Sequence, residues 1–386
     1  MDFNLDDVQQ AIFGVGRRLR ESFDRSYWQR CLDERRYPFE LWAELGAGGH
    51  LGLLVPEERG GAGLGLQEMG LLTEGLAAAG FPLLTMITGP GLALPALAKH
   101  GSARHRRELL PDLLAGRKVL PFAITEAAVG SNLLRLRTRA EPEGERFVLS
   151  GTKDFTSAAD VADHIMVLAR TPDPETEGKH RDGFTLFVVP TGADGFVRTP
   201  CDTQVPMPER QCTLGFERVE LEREDLVGAP GGALGILAPA LVAERVIAAS
   251  LACGLGQYAL DLAAPYAATR KVFGQPLGAH QGVQHPLARG ATRIELARLM
   301  IRRAAWEADS GLRAERSANM ACWAAGEAGC EATDAALQVH GGYGYTREAE
   351  VHSLFQIARL LRSAPVNAES ALNAIGELVL GLPRSY

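Results

Sequence analysis

Residues Arg146 to Arg170 read RFVLSGTKDFTSAADVADHIMVLAR. Two β-rich runs, RFVLSG and HIMVLAR, sit at its ends, and two more, GFTLFVVP and RVELERE, follow before Gly228. Short runs of β-branched and apolar residues separated by turn clusters predict strands, so about residues 120–229 read as a β domain. Upstream, apolar residues recur at helical spacing, as in Val8, Ile12, Val15 and Leu19, with breaks at PEERGGAGLG and TGPGLALP. Downstream, helical periodicity returns from about Gly231 to Gly381, with one long helix through Glu244, one from about Pro286 to Ser310 and one through Trp323 to His340. The order is helices (1–119), strands (120–229), helices (230–386). It excludes the strand–helix alternation of a Rossmann fold and predicts an α+β protein. The polar stretch TPDPETEGKHRDG, between two of the strands, reads as an exposed hairpin loop.

A chain of 386 residues is long enough for two or three domains. Its 46% hydrophobic and 23% charged residues are ordinary for a globular protein, and 40 basic against 47 acidic residues leave a net charge of −7 without a single-sign run. Neither nucleic acid nor an anionic membrane is called for. Six cysteines lie scattered without CxxC spacing, which argues against a disulfide framework and against a metal site. MDFNLDDVQQ lacks the character of a secretory or transit segment, so a cytoplasmic location is expected. The longest apolar run, GGALGILAPALVAERVIAASLACGLG, is interrupted by Pro239, Glu244 and Arg245, short of the roughly 18 uncharged residues of a membrane span.

Glycine-rich GGAGLG, Gly60 to Gly65, lacks GxGxxG spacing and a preceding strand, and reads as a turn between helices. HGGYGYTRE, His340 to Glu348, follows a long helix, so by itself it fits a glycine C-cap. Four segments taken in order say more: FAITEAAVGSN (Phe122–Asn132), SGTKDFTSAADVADHIMVLAR (Ser150–Arg170), RKVFGQPLGAHQGVQ (Arg270–Gln284) and LQVHGGYGYTRE (Leu337–Glu348). Together they resemble the acyl-CoA dehydrogenases over nearly the whole chain. The resemblance implies an N-terminal all-α domain, a central β-barrel and a C-terminal four-helix bundle, with FAD at the junction of barrel and bundle.

Carried over residue by residue, the resemblance places Phe122, Ile124 and Thr125 against the isoalloxazine, and Ser131 near the pyrophosphate or the substrate's CoA portion. Phe155 stands at the flavin face, with Thr156 beside it and Ser157 where the family has the hydroxyl that bonds flavin N5. A donor fixed there stabilises charge arriving on the ring. Arg270, Phe273 and Gln281 match positions that hold the AMP half of FAD; Gln338, Gly341 and Gly342 match those reaching it from a neighbouring subunit. A homodimer or homotetramer is therefore implied. Val272 replaces a common threonine, which implies one fewer hydrogen bond to FAD.

Dehydrogenation of an acyl thioester needs a carboxylate at the α carbon and donors on the thioester oxygen. The family's usual Glu-Gly pair falls on Pro365 and Val366, neither of which can act as a base. Some members carry the carboxylate on an earlier helix, directly before an arginine, and that position is Glu244 before Arg245 in ALVAERVIAAS. These two residues also interrupt an otherwise apolar helix, where charge is tolerated when paired or used. Glu244 is thus the expected base, with Arg245 near the thioester or flavin; an acid–base stripe on an exposed helix face is the bland reading, and Glu369 is the second candidate base. Pro365 also lacks the N–H that helps hold the thioester oxygen in the family, a task left to Val366 or Asn367. Asn367 replaces a threonine beside FAD.

The expected activity is oxidation of an acyl-CoA to its trans-2-enoyl form in fatty acid metabolism, with electrons leaving to an electron-transfer flavoprotein. A flavin oxidase or monooxygenase on the same scaffold, and a non-catalytic relative, are the alternatives.

Overall fold

A computed structural model describes residues 4–171 and 183–384, so most of the stretch read as an exposed hairpin loop lies outside the described residues. Seven helices come first: α1 (Asp7–Phe13), α2 (Val15–Ser22), α3 (Arg25–Asp33), α4 (Phe39–Ala47), α5 (Leu66–Ala78), α6 (Leu94–His100) and α7 (Leu110–Leu114). The GGAGLG stretch is a connection, as expected: Gly60 closes a short 3₁₀ turn in the left-handed conformation (φ 85°) and Gly65 caps α5. The first amides of α5, at Leu66 and Gln67, donate to the Asp309 carboxylate at 2.7 and 3.1 Å, a cap supplied from more than 200 positions away in sequence.

Among the described residues eight strands follow: β1 (Phe122–Ala123), β2 (Arg139–Glu143), β3 (Arg146–Ser157), β4 (His164–Arg170), β5 (Phe184–Pro190), β6 (Phe196–Pro200), β7 (Gln211–Glu222) and β8 (Leu226–Val227). They form one sheet in the order β6-β7-β3-β2-β4-β5-β8, with β1 added parallel to β4. Its interior is apolar: Phe147 and Leu149 of β3, Ile165 and Val167 of β4, Phe187 and Val189 of β5 and Leu214 and Phe216 of β7 belong to one buried cluster. β7 largely alternates buried with more open side chains, as a strand with one face on a core does, whereas β3 buries Phe147, Val148 and Leu149 in succession.

The C-terminal part is α8 (Ala233–Thr269), a small hairpin of β9 (Lys271–Val272) and β10 (Gln275–Pro276), then α9 (Gln281–Asp309), α10 (Glu315–His340), α11 (Val351–Leu361) and α12 (Ala368–Leu378). α9 begins five residues before the expected Pro286; a proline so near the start deprives only the Gly282 carbonyl of its helical donor. α8 is apolar on all sides, and one 18-residue window has a mean hydropathy of 1.8, enough by length and composition for a membrane span; 61% of that window is buried within the protein, as in a core helix. Glycine lets its neighbours approach: a Cβ on Gly254 of α8 would lie 2.4 Å from the Glu74 carbonyl of α5.

Contacts gather the chain into two compact units, one of Met1–Trp28, Gly65–Leu83 and Arg245–Tyr386, the other of Gln29–Leu64 and Leu84–Glu244. The first seven helices are thus shared between the units, and the β sheet belongs wholly to the second.

Candidate active site

Within the sheet-bearing unit, the expected flavin-facing residues come together at one end of β3. Lys153 pairs with Leu214 and Thr156 with Cys212, so β3 uses one residue more than β7 over that interval. The extra residue makes a bulge, and Phe155 within it has φ +53°. The bulge turns the Phe155 ring outward, where it is 66% exposed, a wasteful position for an aromatic ring unless a partner covers it. Ser157 also faces outward and accepts a hydrogen bond from Gln211 Nε2 at 2.8 Å. Thr156, between them, points the other way: it is 1% exposed and its Oγ1 has no hydrogen-bond partner among the described residues. Strand alternation thus puts the Thr156 backbone, and not its hydroxyl, on the side of Phe155 and Ser157.

The segment after β1 is tied to the same strand. Asp154 N donates to Thr125 O at 2.9 Å, and Lys153 Nζ donates to Ile124 O at 2.9 Å and to Glu126 Oε1 at 3.0 Å. Glu126 in turn accepts from Arg137 N (2.7 Å) and Thr138 N (2.9 Å). Phe122 is buried, Ile124 and Thr125 are half-buried, and Ser131 is exposed beside Gly130, where an added Cβ would meet nothing within 4 Å. The Glu126–Lys153 pair and the Gln211 partner of Ser157 were not singled out from sequence. A lysine at a buried position of a strand was the available signal.

In the other unit, Arg270 directly follows α8, exposed, and Phe273 with Gly274 forms the two-residue turn of the β9–β10 hairpin. Both turn residues have positive φ, 50° and 82°, the geometry that matches hairpin twist. The turn projects the Phe273 ring almost wholly into solvent at 98% exposure. Gln281 opens α9 and is exposed. Gln338 is exposed in the last turn of α10, and Gly341 is its C-cap at φ 59°, ψ −139°. Beneath that loop His340 is buried and stacks on Tyr266 with ring centroids 4.4 Å apart, which fixes where the glycines leave the helix. A Cβ on Gly341 or Gly342 would meet nothing within 4 Å, so the backbone there is open to close approach.

Glu244 lies on α8 and is 9% exposed, which rules out the exposed-stripe reading. Arg245, the next residue, donates from Nε to Asn319 Oδ1 of α10 at 3.0 Å. Asn319 is held by its own bond to Glu315 O at 2.6 Å. After α11 the chain passes through exposed Pro365, joined to Ala364 by a cis bond, to Asn367. Asn367 is the N-cap of α12, its side chain accepting from Ser370 N at 2.7 Å, so this oxygen already serves the helix. Glu369 is exposed on the first turn.

Comparison with known proteins finds the N-terminal domain of acyl-CoA dehydrogenases over residues 8–117, the middle domain over 121–219 and the C-terminal domain over 234–380. Acyl-CoA dehydrogenase FadE12 of Mycobacterium tuberculosis is 41% identical over 367 residues, covering 95% of this chain and 94% of that protein. Cyclohex-1-ene-1-carbonyl-CoA dehydrogenase of Geobacter metallireducens is 34% identical, with 85% and 87% covered. The structure of butyryl-CoA dehydrogenase from Megasphaera elsdenii superposes with a TM-score of 0.90 at 27% identity, covering 98% of this chain and all of that one.

The residues fit the family's cofactor, FAD. In the sheet-bearing unit the outward ring of Phe155 suits a planar ring system and the open backbone at Gly130 suits close contact with a phosphate or sugar; in the other unit, taken by itself, the exposed Arg270 guanidinium suits a pyrophosphate, and the outward Phe273 ring and the open backbone at Gly341 and Gly342 suit a nucleotide. Matching all three domains in order along its length, this chain belongs to the acyl-CoA dehydrogenase family and is an FAD-dependent oxidoreductase.

Proposed function

We propose that the chain oxidises an acyl-CoA thioester to its trans-2-enoyl form, with Glu244 as the base. The burial of Glu244 on an otherwise apolar helix carries this reading. A carboxylate held away from bulk water is available to take a proton from a bound substrate. Bound FAD supplies the two-electron acceptor for the hydride leaving the β carbon. Glu244 takes and holds the α proton, and Arg245, the next residue along α8, is held in place by Asn319. Phe155 and Phe273 exclude water from the faces they cover. Since Pro365 has no N–H, a backbone donor for the thioester oxygen comes from Val366 or Asn367. The names of the Geobacter and Megasphaera relatives, both dehydrogenases of CoA thioesters, support the substrate class.

Assembly into a homo-oligomer is part of the reading. Leu296, Leu299 and Trp306 on α9 are 61%, 46% and 53% exposed, an apolar stripe that a second copy would cover. Light scattering of the purified protein measures this directly. Electron-transfer flavoprotein is the proposed acceptor.

Anaerobic mixing with a set of acyl-CoAs tests the chemistry by flavin bleaching. The parent protein is expected to bleach, and Glu244→Gln to retain FAD while losing about 10²- to 10⁴-fold in rate. Undiminished bleaching by the variant would move the base to another residue, Glu369 first. No bleaching of the parent by any acyl-CoA would favour a flavin oxidase or monooxygenase.

A further inference from the structure

We propose that Lys153 is a positioning residue for FAD: from beneath the sheet it holds the Ile124 carbonyl and thereby sets the segment Phe122–Thr125. The proposal rests on the family reading that this segment meets the isoalloxazine.

Lys153 is 0% exposed, although a lysine is almost never fully buried without a compensating partner. Its ammonium has two oxygen partners, Ile124 O at 2.9 Å and Glu126 Oε1 at 3.0 Å, which lie on either side of Thr125. Glu126, 6% exposed, also accepts from the amides of Arg137 and Thr138. Thr125 is pinned from the same strand by Asp154 N. Three consecutive residues are thereby fastened to β3 directly before its bulge, the bulge that turns Phe155 outward. Lysine and aromatic ring are two residues apart on one strand, so a single element places both the Ile124 segment and the Phe155 ring.

The arrangement costs free energy. Burial pushes the Lys153 ammonium down to about 8, against the opposing pull of Glu126. A buried ion pair is poor evidence for stability, since an apolar pair of similar volume often serves equally well. What an apolar pair cannot do is bond a carbonyl. A hydrogen bond from a charged donor that orients the binding segment is expected to hold back FAD release about tenfold or more.

The test compares holoenzymes of the parent, Lys153→Met, Glu126→Gln and the double variant. FAD release after dilution is read by the rise in flavin fluorescence, and folding by far-ultraviolet circular dichroism and thermal midpoint. Lys153→Met should release FAD about tenfold faster or more, and should melt lower because Glu126 stays buried and unpaired. The double variant should regain much of the thermal midpoint but still release FAD fast, with a less resolved visible flavin band. Glu126→Gln, which keeps the lysine's bond to Ile124, should release FAD within about threefold of the parent. A double variant that folds and releases FAD at the parental rate reduces the pair to a structural one and overturns the proposal. If Lys153 variants do not fold, Glu126→Gln decides: release tenfold faster than the parent's would transfer control to Glu126 and also overturn it. A parent protein that carries no FAD at all fails the family reading instead.

Discussion

Glu209 offers a prediction that follows from burial alone. It is 2% exposed, and its Oε1 accepts from Thr85 N at 2.7 Å and Thr85 Oγ1 at 2.9 Å, while Oε2 has no partner among the described residues. Tyr37 OH completes the cluster 3.1 Å from the Thr85 hydroxyl. Loss of hydration raises the Glu209 carboxyl from 4.5 to about 7, with the Thr85 bonds opposing. In the unfolded chain the group ionises near its ordinary value; in the folded chain it stays protonated until about pH 7. Below pH 4.5 it therefore carries no penalty, and stability falls by about 1.4 kcal/mol per pH unit as pH rises towards 7, on the order of 3 kcal/mol in all.

Glu209→Gln removes this dependence, because an amide does not titrate. Its carbonyl keeps the Thr85 bonds, but its NH₂ finds no acceptor and costs about 1–3 kcal/mol at every pH. The variant should thus be the less stable protein at pH 5 and should equal or exceed the parent at pH 8. Thermal melts from pH 5 to 8.5 measure the difference, whose swing should be on the order of 5 °C. A parent-minus-variant difference that stays constant over this range would refute a protonated Glu209.

Arg298→Ala should destabilise by about 3–5 kcal/mol, because Glu74, 7% exposed and raised by burial, loses the guanidinium 2.5 Å away; adding Glu74→Leu should recover most of that loss in urea denaturation. Gly75→Ala should cost about 3 kcal/mol or more and expose α1 and α2 to limited proteolysis, since the new Cβ would sit 2.1 Å from the Phe13 carbonyl. Asn367→Ala should cost about 1 kcal/mol through loss of the α12 cap, with Asn367→Ser near parental in its thermal midpoint; an unchanged midpoint for the alanine variant would show that the cap is not used.

Much of the site was legible as segments. The β-rich texture around Arg146 to Arg170 and the helical blocks on either side are local patterns, so the helix–strand–helix order followed from periodicity. The HGGYGYTRE stretch was open to two readings, and Gly341 serves the cap. The start of α9 was misjudged at Pro286, because proline is tolerated early in a helix. The inward turn of the Thr156 side chain between Phe155 and Ser157 was not legible, because adjacency in sequence does not reveal which side chains share a face across a bulge.

What the sequence determined by itself was the architecture and the residues available for chemistry, because composition, spacing and periodicity are properties of neighbouring positions. It also marked Glu244 and Arg245 as charges in an apolar helix. Only the tertiary structure decided that Glu244 is buried, that Arg245 meets Asn319, that Phe155 is turned outward and that Lys153 lies beneath Ile124. Each of these depends on groups far apart along the chain, and burial and hydrogen bonding exist only once those groups have been packed against one another.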